Sequence, residues 1–199
     1  MSYSIIGFGA VGQALARAFA RKNIEVAVAG RRAPEMLAPE AGAIGASVTP
    51  KLLQDALQAD VIFLAVPFRE HAAVAKSLPD WQGKTVIDAT NAYGVAVEEL
   101  GGLPSSTVIA KAFHGARFVK GFNYLPAGLL AADPQVEGGR RVVFLASDDD
   151  HSVPPVAALA ERLGFAPVHL GKLAEGGALV QARGHTWAPL IFQDLVKPG

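Results

Sequence analysis

Gly7-Phe8-Gly9-Ala10-Val11-Gly12 restricts what this chain can fold into more than any other segment. Its three glycines stand between a strand-like stretch, residues 2–6, and a helix-like stretch from Ala10 to Lys22. Each glycine has a physical reason at such a junction. Gly7 permits a tight turn, Gly9 leaves the backbone bare, and Gly12 lets the helix close onto the strand. Backbone N–H groups of the loop, Ala10 and Val11 included, then face an anion together with the helix N-terminus. The pyrophosphate of a dinucleotide fits that description. The bare pattern is weak in a chain with 21 glycines; the strand before it and the helix after it give it weight.

Beyond the loop, strand-like and helix-like patches keep alternating. Strands are expected at 25–29, 46–48, 60–66, 84–89, 117–121, 141–146 and 166–170. Helices are expected at 35–41, 50–58 with Thr49 as N-cap, 69–78, from a Ser105 or Ser106 cap towards Phe113, and 153–163. Residues 131–139 read as a loop. This order predicts an α/β chain with a Rossmann-like, doubly wound, mainly parallel sheet. Residues 1–199 read as one dinucleotide-binding domain, with 173–199 a short helical extension broken by glycines. Trp187, Leu190, Ile191 and Leu195 share a helical face there, suited either to packing on the chain's own sheet or to a dimer interface that closes the substrate cleft.

Composition narrows the function. Eighteen Lys and Arg balance eighteen Asp and Glu, which gives no electrostatic case for nucleic acid or an anionic membrane. The apolar runs Val61 to Val66 and Val142 to Ala146 are too short to span a bilayer but suit buried strands. No cysteine is present, so disulfides and thiolate chemistry are excluded. The glycine motif so near Met1 leaves no room for a cleavable leader, and a cytoplasmic setting is expected.

In a doubly wound sheet the ligand lies beyond the C-terminal strand ends, so the loops there hold the candidate residues. The second strand ends in Gly30-Arg31-Arg32, without the acidic residue that would bond a ribose 2′-OH. Arg31 and Arg32 instead suit a 2′-phosphate, which points to NADP(H). Val66 and Pro67 would pass beneath the nicotinamide. Phe68 either flanks the ring or simply packs. His71 is a surface or capping residue, or else a weak acid–base candidate. Asn91 bonds an amide or caps a turn. Phe122 and Asn123 crowd a third strand end that would suit a flat heterocycle. Lys120 reads as a solvated edge charge, with proton donor as the lesser alternative. Asp148, Asp149 and Asp150 precede a helix and are better explained as a cap than as metal ligands.

No Tyr-x-x-x-Lys pair occurs, nor a Gly-x-Ser-x-Gly, His-Glu-x-x-His or Walker pattern. A nicotinamide site without a convincing general acid suits hydride transfer between two stacked rings better than carbonyl reduction.

Several stretches together resemble the NADP-dependent oxidoreductases of the coenzyme F-420 (deazaflavin) type and the related reductase domains of six-transmembrane metalloreductases. They are residues 7–12, Gly30-Arg31-Arg32, Val66-Pro67-Phe68 with His71, and Val86 to Asn91. Val119-Lys120-Gly121-Phe122-Asn123, Ser147 to Asp150 and Gly176 to Val180 complete the set. The resemblance implies NADP(H), coenzyme F-420 or a flavin as the planar acceptor near Phe122 and Asn123, and a homodimer. Where this chain has Gly30 the family often has a hydroxyl residue, which removes one contact to a 2′-phosphate. Two other functions fit the same residues: an NADP-binding redox sensor without turnover, and a reductase of a small carbonyl or imine.

Overall fold

The computed structural model describes residues 1–182 and Phe192. The first half alternates strictly: β1 Tyr3–Ile6, α1 Ala10–Arg21, β2 Val26–Ala29, α2 Pro34–Ile44, β3 Val48–Pro50, α3 Leu53–Ala56 and β4 Val61–Leu64. A 3-10 turn, Phe68–Glu70, leads into α4 His71–Ala75, and β5 is Thr85–Asp88. Then come α5 Ser105–Ala112, β6 Arg117–Gly121 and α6 Ala127–Ala131. A small hairpin follows, β7 Gln135–Val136 with β8 Gly139–Arg140. The last elements are β9 Val142–Ala146, α7 Val153–Arg162, β10 Ala166–His169 and α8 Gly176–Leu179.

Eight strands form one sheet in the order β10-β9-β6-β5-β4-β1-β2-β3. Strands β1 to β6 are mutually parallel. Strand β9 pairs antiparallel with β6, Lys120 opposite Ala146, and β10 follows β9. Consecutive strand residues point to opposite faces. Ile5, Phe63, Ile87 and Val119 join one core with Phe19, Phe122 and Phe165. Ile6, Ile62, Val86 and Phe118 join the other with Trp81 and Phe113. Both faces are therefore covered, which explains why the strands read as continuous apolar runs.

Three local expectations change, and one holds. Thr49 lies inside β3, and α3 begins after Leu52, so Thr49 caps nothing. Ser105 and Ser106 occupy the first turn of α5 behind Pro104 and make no side-chain cap. A proline suits a helix start because no N–H is lost from the ladder. Residues 131–139 hold half of the β7–β8 hairpin rather than a plain loop. Asp149 does cap: its carboxylate accepts from the His151 N–H at 3.0 Å and from Ser152 Oγ at 2.6 Å.

Candidate functional site

The winding of the sheet reverses between β1 and β4, because the chain leaves β1 towards β2 on one side and returns to β4 on the other. The crevice between their C-terminal ends is the position where such sheets bind ligands. Here two loops meet. Gly7 has φ +102°, and a Cβ placed there would lie 2.3 Å from the Ala65 carbonyl oxygen. Gly12 is equally constrained, since a Cβ would fall 1.9 Å from the Gly7 carbonyl oxygen. Gly9 differs: nothing lies within 4 Å of a Cβ built on it. Two glycines are required by packing, and the third keeps one side of the loop open.

That open side faces a cleft of about 590 Å³. Gly7, Gly9, Gly30, Arg31, Arg32, Val66 and Pro67 line it, with Leu37, Leu53 and Val74 forming apolar wall. The cleft thus gathers the first half of the glycine motif, the arginine pair and the β4 exit. Ala10, Val11 and Gly12 sit behind it in the first turn of α1.

The arginines are not equivalent. Arg31 is 89% exposed, with Glu70 Oε1 3.9 Å away. Arg32 donates to both oxygens of Glu40, at 2.6 and 2.8 Å. This pairing holds the Glu40 carboxyl below the usual carboxylate range and raises the Arg32 guanidinium above its own. Reading the strand end alone missed both carboxylates, because Glu40 approaches from α2 and Glu70 from the turn before α4.

Asn91, Phe68, Phe122 and Asn123 do not line the cleft. Asn91 Nδ2 donates to the Asn123 carbonyl at 2.9 Å, and Asn123 Nδ2 donates to Asn91 Oδ1 at 3.0 Å and to the Val180 carbonyl at 2.9 Å. The pair ties the exits of β5 and β6 to the segment after α8. Phe122 is corrected: it is 1% exposed, at φ +61°, and packs edge-on against Phe63 and Phe165. Its ring fills the core, so only its backbone can face a ligand. Phe68 is half-buried, with its ring 4.8 Å from that of His71. His71 Nδ1 donates to the Phe68 carbonyl, a local turn contact.

Lys120 is the larger correction. It is 1% exposed, not solvated, and its ammonium lies 3.0 Å from Asp88 Oδ2 while also donating to the Thr90 carbonyl. Burial lowers its pKa, and the Asp88 carboxylate opposes that shift. Parallel pairing of β5 and β6 sets Asp88 beside Lys120 and creates the bond. The tail residues Trp187, Pro189, Leu190, Ile191 and Leu195 lie outside the described residues. Among the described residues no cluster of metal-ligating side chains occurs, and no helix is long and apolar enough to cross a membrane.

Strand order, the glycine turn at the switch point and the cleft beyond it define a Rossmann-type α/β domain. Comparison with known proteins carries this further. Residues 2–92 match the family described as NADP oxidoreductase, coenzyme F420-dependent. A hypothetical protein of Sinorhizobium meliloti is 41% identical in sequence, superposes with a TM-score of 0.90, and matches 98% of this chain and 96% of its own. The metalloreductase STEAP3 of Rattus norvegicus is 32% identical over 178 residues, 85% of this chain; the chain spans 34% of that protein's length. A protein of Arthrobacter sp. FB24, provisionally described as an F420-dependent NADP-reductase, shares the fold at 23% identity, with a TM-score of 0.70 and 90% of each chain covered. Over residues 2–92 the chain is thus similar to this NADP oxidoreductase family.

Proposed function

We propose that the chain binds NADP(H) along the cleft from Gly9 to Arg31 and passes hydride between the nicotinamide and a planar acceptor, coenzyme F-420 or a flavin. The observation that carries this reading is the cleft itself. Its bare-backbone end at Gly9 suits a pyrophosphate, and its far end offers Arg31 to a 2′-phosphate. NADP(H), when bound, supplies or accepts the hydride. The chain's own residues position it. Gly7, whose own N–H is held by the Ala29 carbonyl at 2.8 Å, makes the turn; Gly9, Ala10, Val11 and Gly12 direct N–H groups at the pyrophosphate, and Val66 with Pro67 supports the dinucleotide from the β4 side.

The Asn91–Asn123 pair stands further along the same sheet edge, where it would orient the acceptor half of the site. Neither proton-donor candidate favours carbonyl or imine reduction. Lys120 is spent on Asp88 and Thr90, and His71 on Phe68. The homodimer and cytoplasmic setting belong to the same proposal.

The test is steady-state NADPH oxidation by the full chain with F-420, FMN or FAD as acceptor. Turnover with one of them is expected. Tight NADPH binding without turnover on any acceptor would instead identify a redox-sensing binder. Arg31→Ala is expected to raise the KM for NADPH far more than that for NADH.

A further inference from the structure

The end of the cleft that would meet the 2′-phosphate carries four charges in two pairs. Arg32 and Glu40 form a parallel two-bond fork at 2.6 and 2.8 Å. Glu40 Oε2 also accepts from Gln13 Nε2 at 3.0 Å, and Gln13 in turn reaches the Phe8 carbonyl of the glycine loop at 3.4 Å. Glu40 is thereby held from two sides, by α1 and by the loop after β2. The second pair, Arg31 with Glu70 at 3.9 Å, is loose and exposed. The two carboxylates cancel the two guanidinium charges. The arginine pair, read alone, looks like a strong phosphate site; with its partners it is electrically balanced.

We propose that Glu40, acting through Arg32, determines the dinucleotide specificity of the cleft. It withholds Arg32 from the 2′-phosphate, leaves Arg31 as the main phosphate partner, and lets the cleft accept dinucleotides with or without that phosphate. This rests on the NADP(H) reading above. The physical argument is a competition. Glu40 occupies the facing N–H pair of the two terminal nitrogens of Arg32, so a 2′-phosphate can take that two-bond fork only by displacing the carboxylate, and the displaced charge has the same sign as the phosphate. NADH has no such group and meets no such competition. Glu40 is a positioning residue, since it acts on the ligand through Arg32.

Glu40→Gln keeps the shape and an acceptor for Gln13 while removing the charge. The measurement is the Kd of NADPH and of NADH for the full chain, by titration of nucleotide fluorescence. The Kd for NADPH is expected to fall about tenfold while that for NADH stays within about twofold. The gain should shrink as salt is added, because the competing charges are exposed. In an Arg32→Ala background the same substitution should do almost nothing, a coupling that a merely structural role for Glu40 would not produce. Equal effects on both nucleotides, or weaker NADPH binding in Glu40→Gln, would overturn the proposal. Arg31→Ala separates the two levels. If it leaves the NADPH to NADH ratio unchanged, the 2′-phosphate reading itself fails. If it collapses the ratio while Glu40→Gln leaves it alone, only the role of Glu40 fails.

Discussion

Lys120 and Asp88 form an ion pair across β5 and β6 at 3.0 Å, with side chains 1% and 0% exposed. The pair anchors the loop that carries Asn91, because the same ammonium also holds the Thr90 carbonyl and Asp88 Oδ1 accepts from the Thr90 N–H at 2.9 Å. Removing one partner strands the other charge in the core. Lys120→Met is therefore expected to cost about 3–5 kcal/mol, and Lys120→Met with Asp88→Leu considerably less. Urea unfolding of the three proteins measures both. The pH dependence has a definite sign. Burial places the folded pKa of Lys120 below its ordinary 10.5, so across that window the unfolded chain binds more protons and stability rises with pH. The rise should be present in the wild type approaching pH 10.5 and absent in Lys120→Met.

The same lysine marks what the sequence could not disclose. Residues 117–121 are legible as a strand from their apolar run, but that run does not say which strand lies beside it. Only pairing with β5 puts Asp88 next to Lys120 and turns an edge charge into a buried one. Phe122 shows the same limit. An aromatic at a strand end reads as a ring for a ligand, and a backbone at φ +61° turns it into the core instead. The glycine loop, in contrast, was legible because two of its requirements are local: Gly7 sits at φ +102°, and Gly12 must clear the Gly7 carbonyl one turn away. Arg31 and Arg32 stand between these cases. Their position was readable, and their carboxylate partners, from two other elements, were not.

Gly30 offers a direct test of cofactor choice. A Cβ there meets only ordinary contacts, Phe8 N at 3.7 Å and Leu37 Cδ1 at 4.0 Å. Gly30→Ser should fold normally and place a hydroxyl at the arginine end of the cleft. The Kd for NADPH is expected to fall about fivefold, the worth of one hydrogen bond of about 1 kcal/mol, with NADH little changed. Parallel titrations with the two nucleotides check it, and equal changes in both would count against a 2′-phosphate at this end.

Asn123 divides the two halves of the proposed site. Asn123→Ala removes its amide bonds to Asn91 and Val180 and should cost about 1–3 kcal/mol, because Asn91 Oδ1 and the Val180 carbonyl lose a donor. Neither group lines the cleft. The expected signature is a raised KM for the planar acceptor with an unchanged Kd for NADPH. A parallel loss of NADPH affinity would move Asn123 into the dinucleotide site.

Gly9 and Gly12 stand three residues apart and should fail in opposite ways. An alanine at Gly12 drives its Cβ to 1.9 Å from the Gly7 carbonyl oxygen, and a backbone atom cannot yield as a side chain can. Gly12→Ala is therefore expected to lower stability by about 1–3 kcal/mol or more, as overpacking does, and to lose nucleotide binding as a consequence. An alanine at Gly9 meets no protein atom within 4 Å. Gly9→Ala should unfold at the same urea concentration as the wild type and still bind NADPH at least about tenfold more weakly, because its methyl occupies the place of a phosphate oxygen. Unfolding curves and NADPH titrations on both variants decide the matter. Full NADPH affinity in Gly9→Ala would mean that the open face of the loop is not where the pyrophosphate lies.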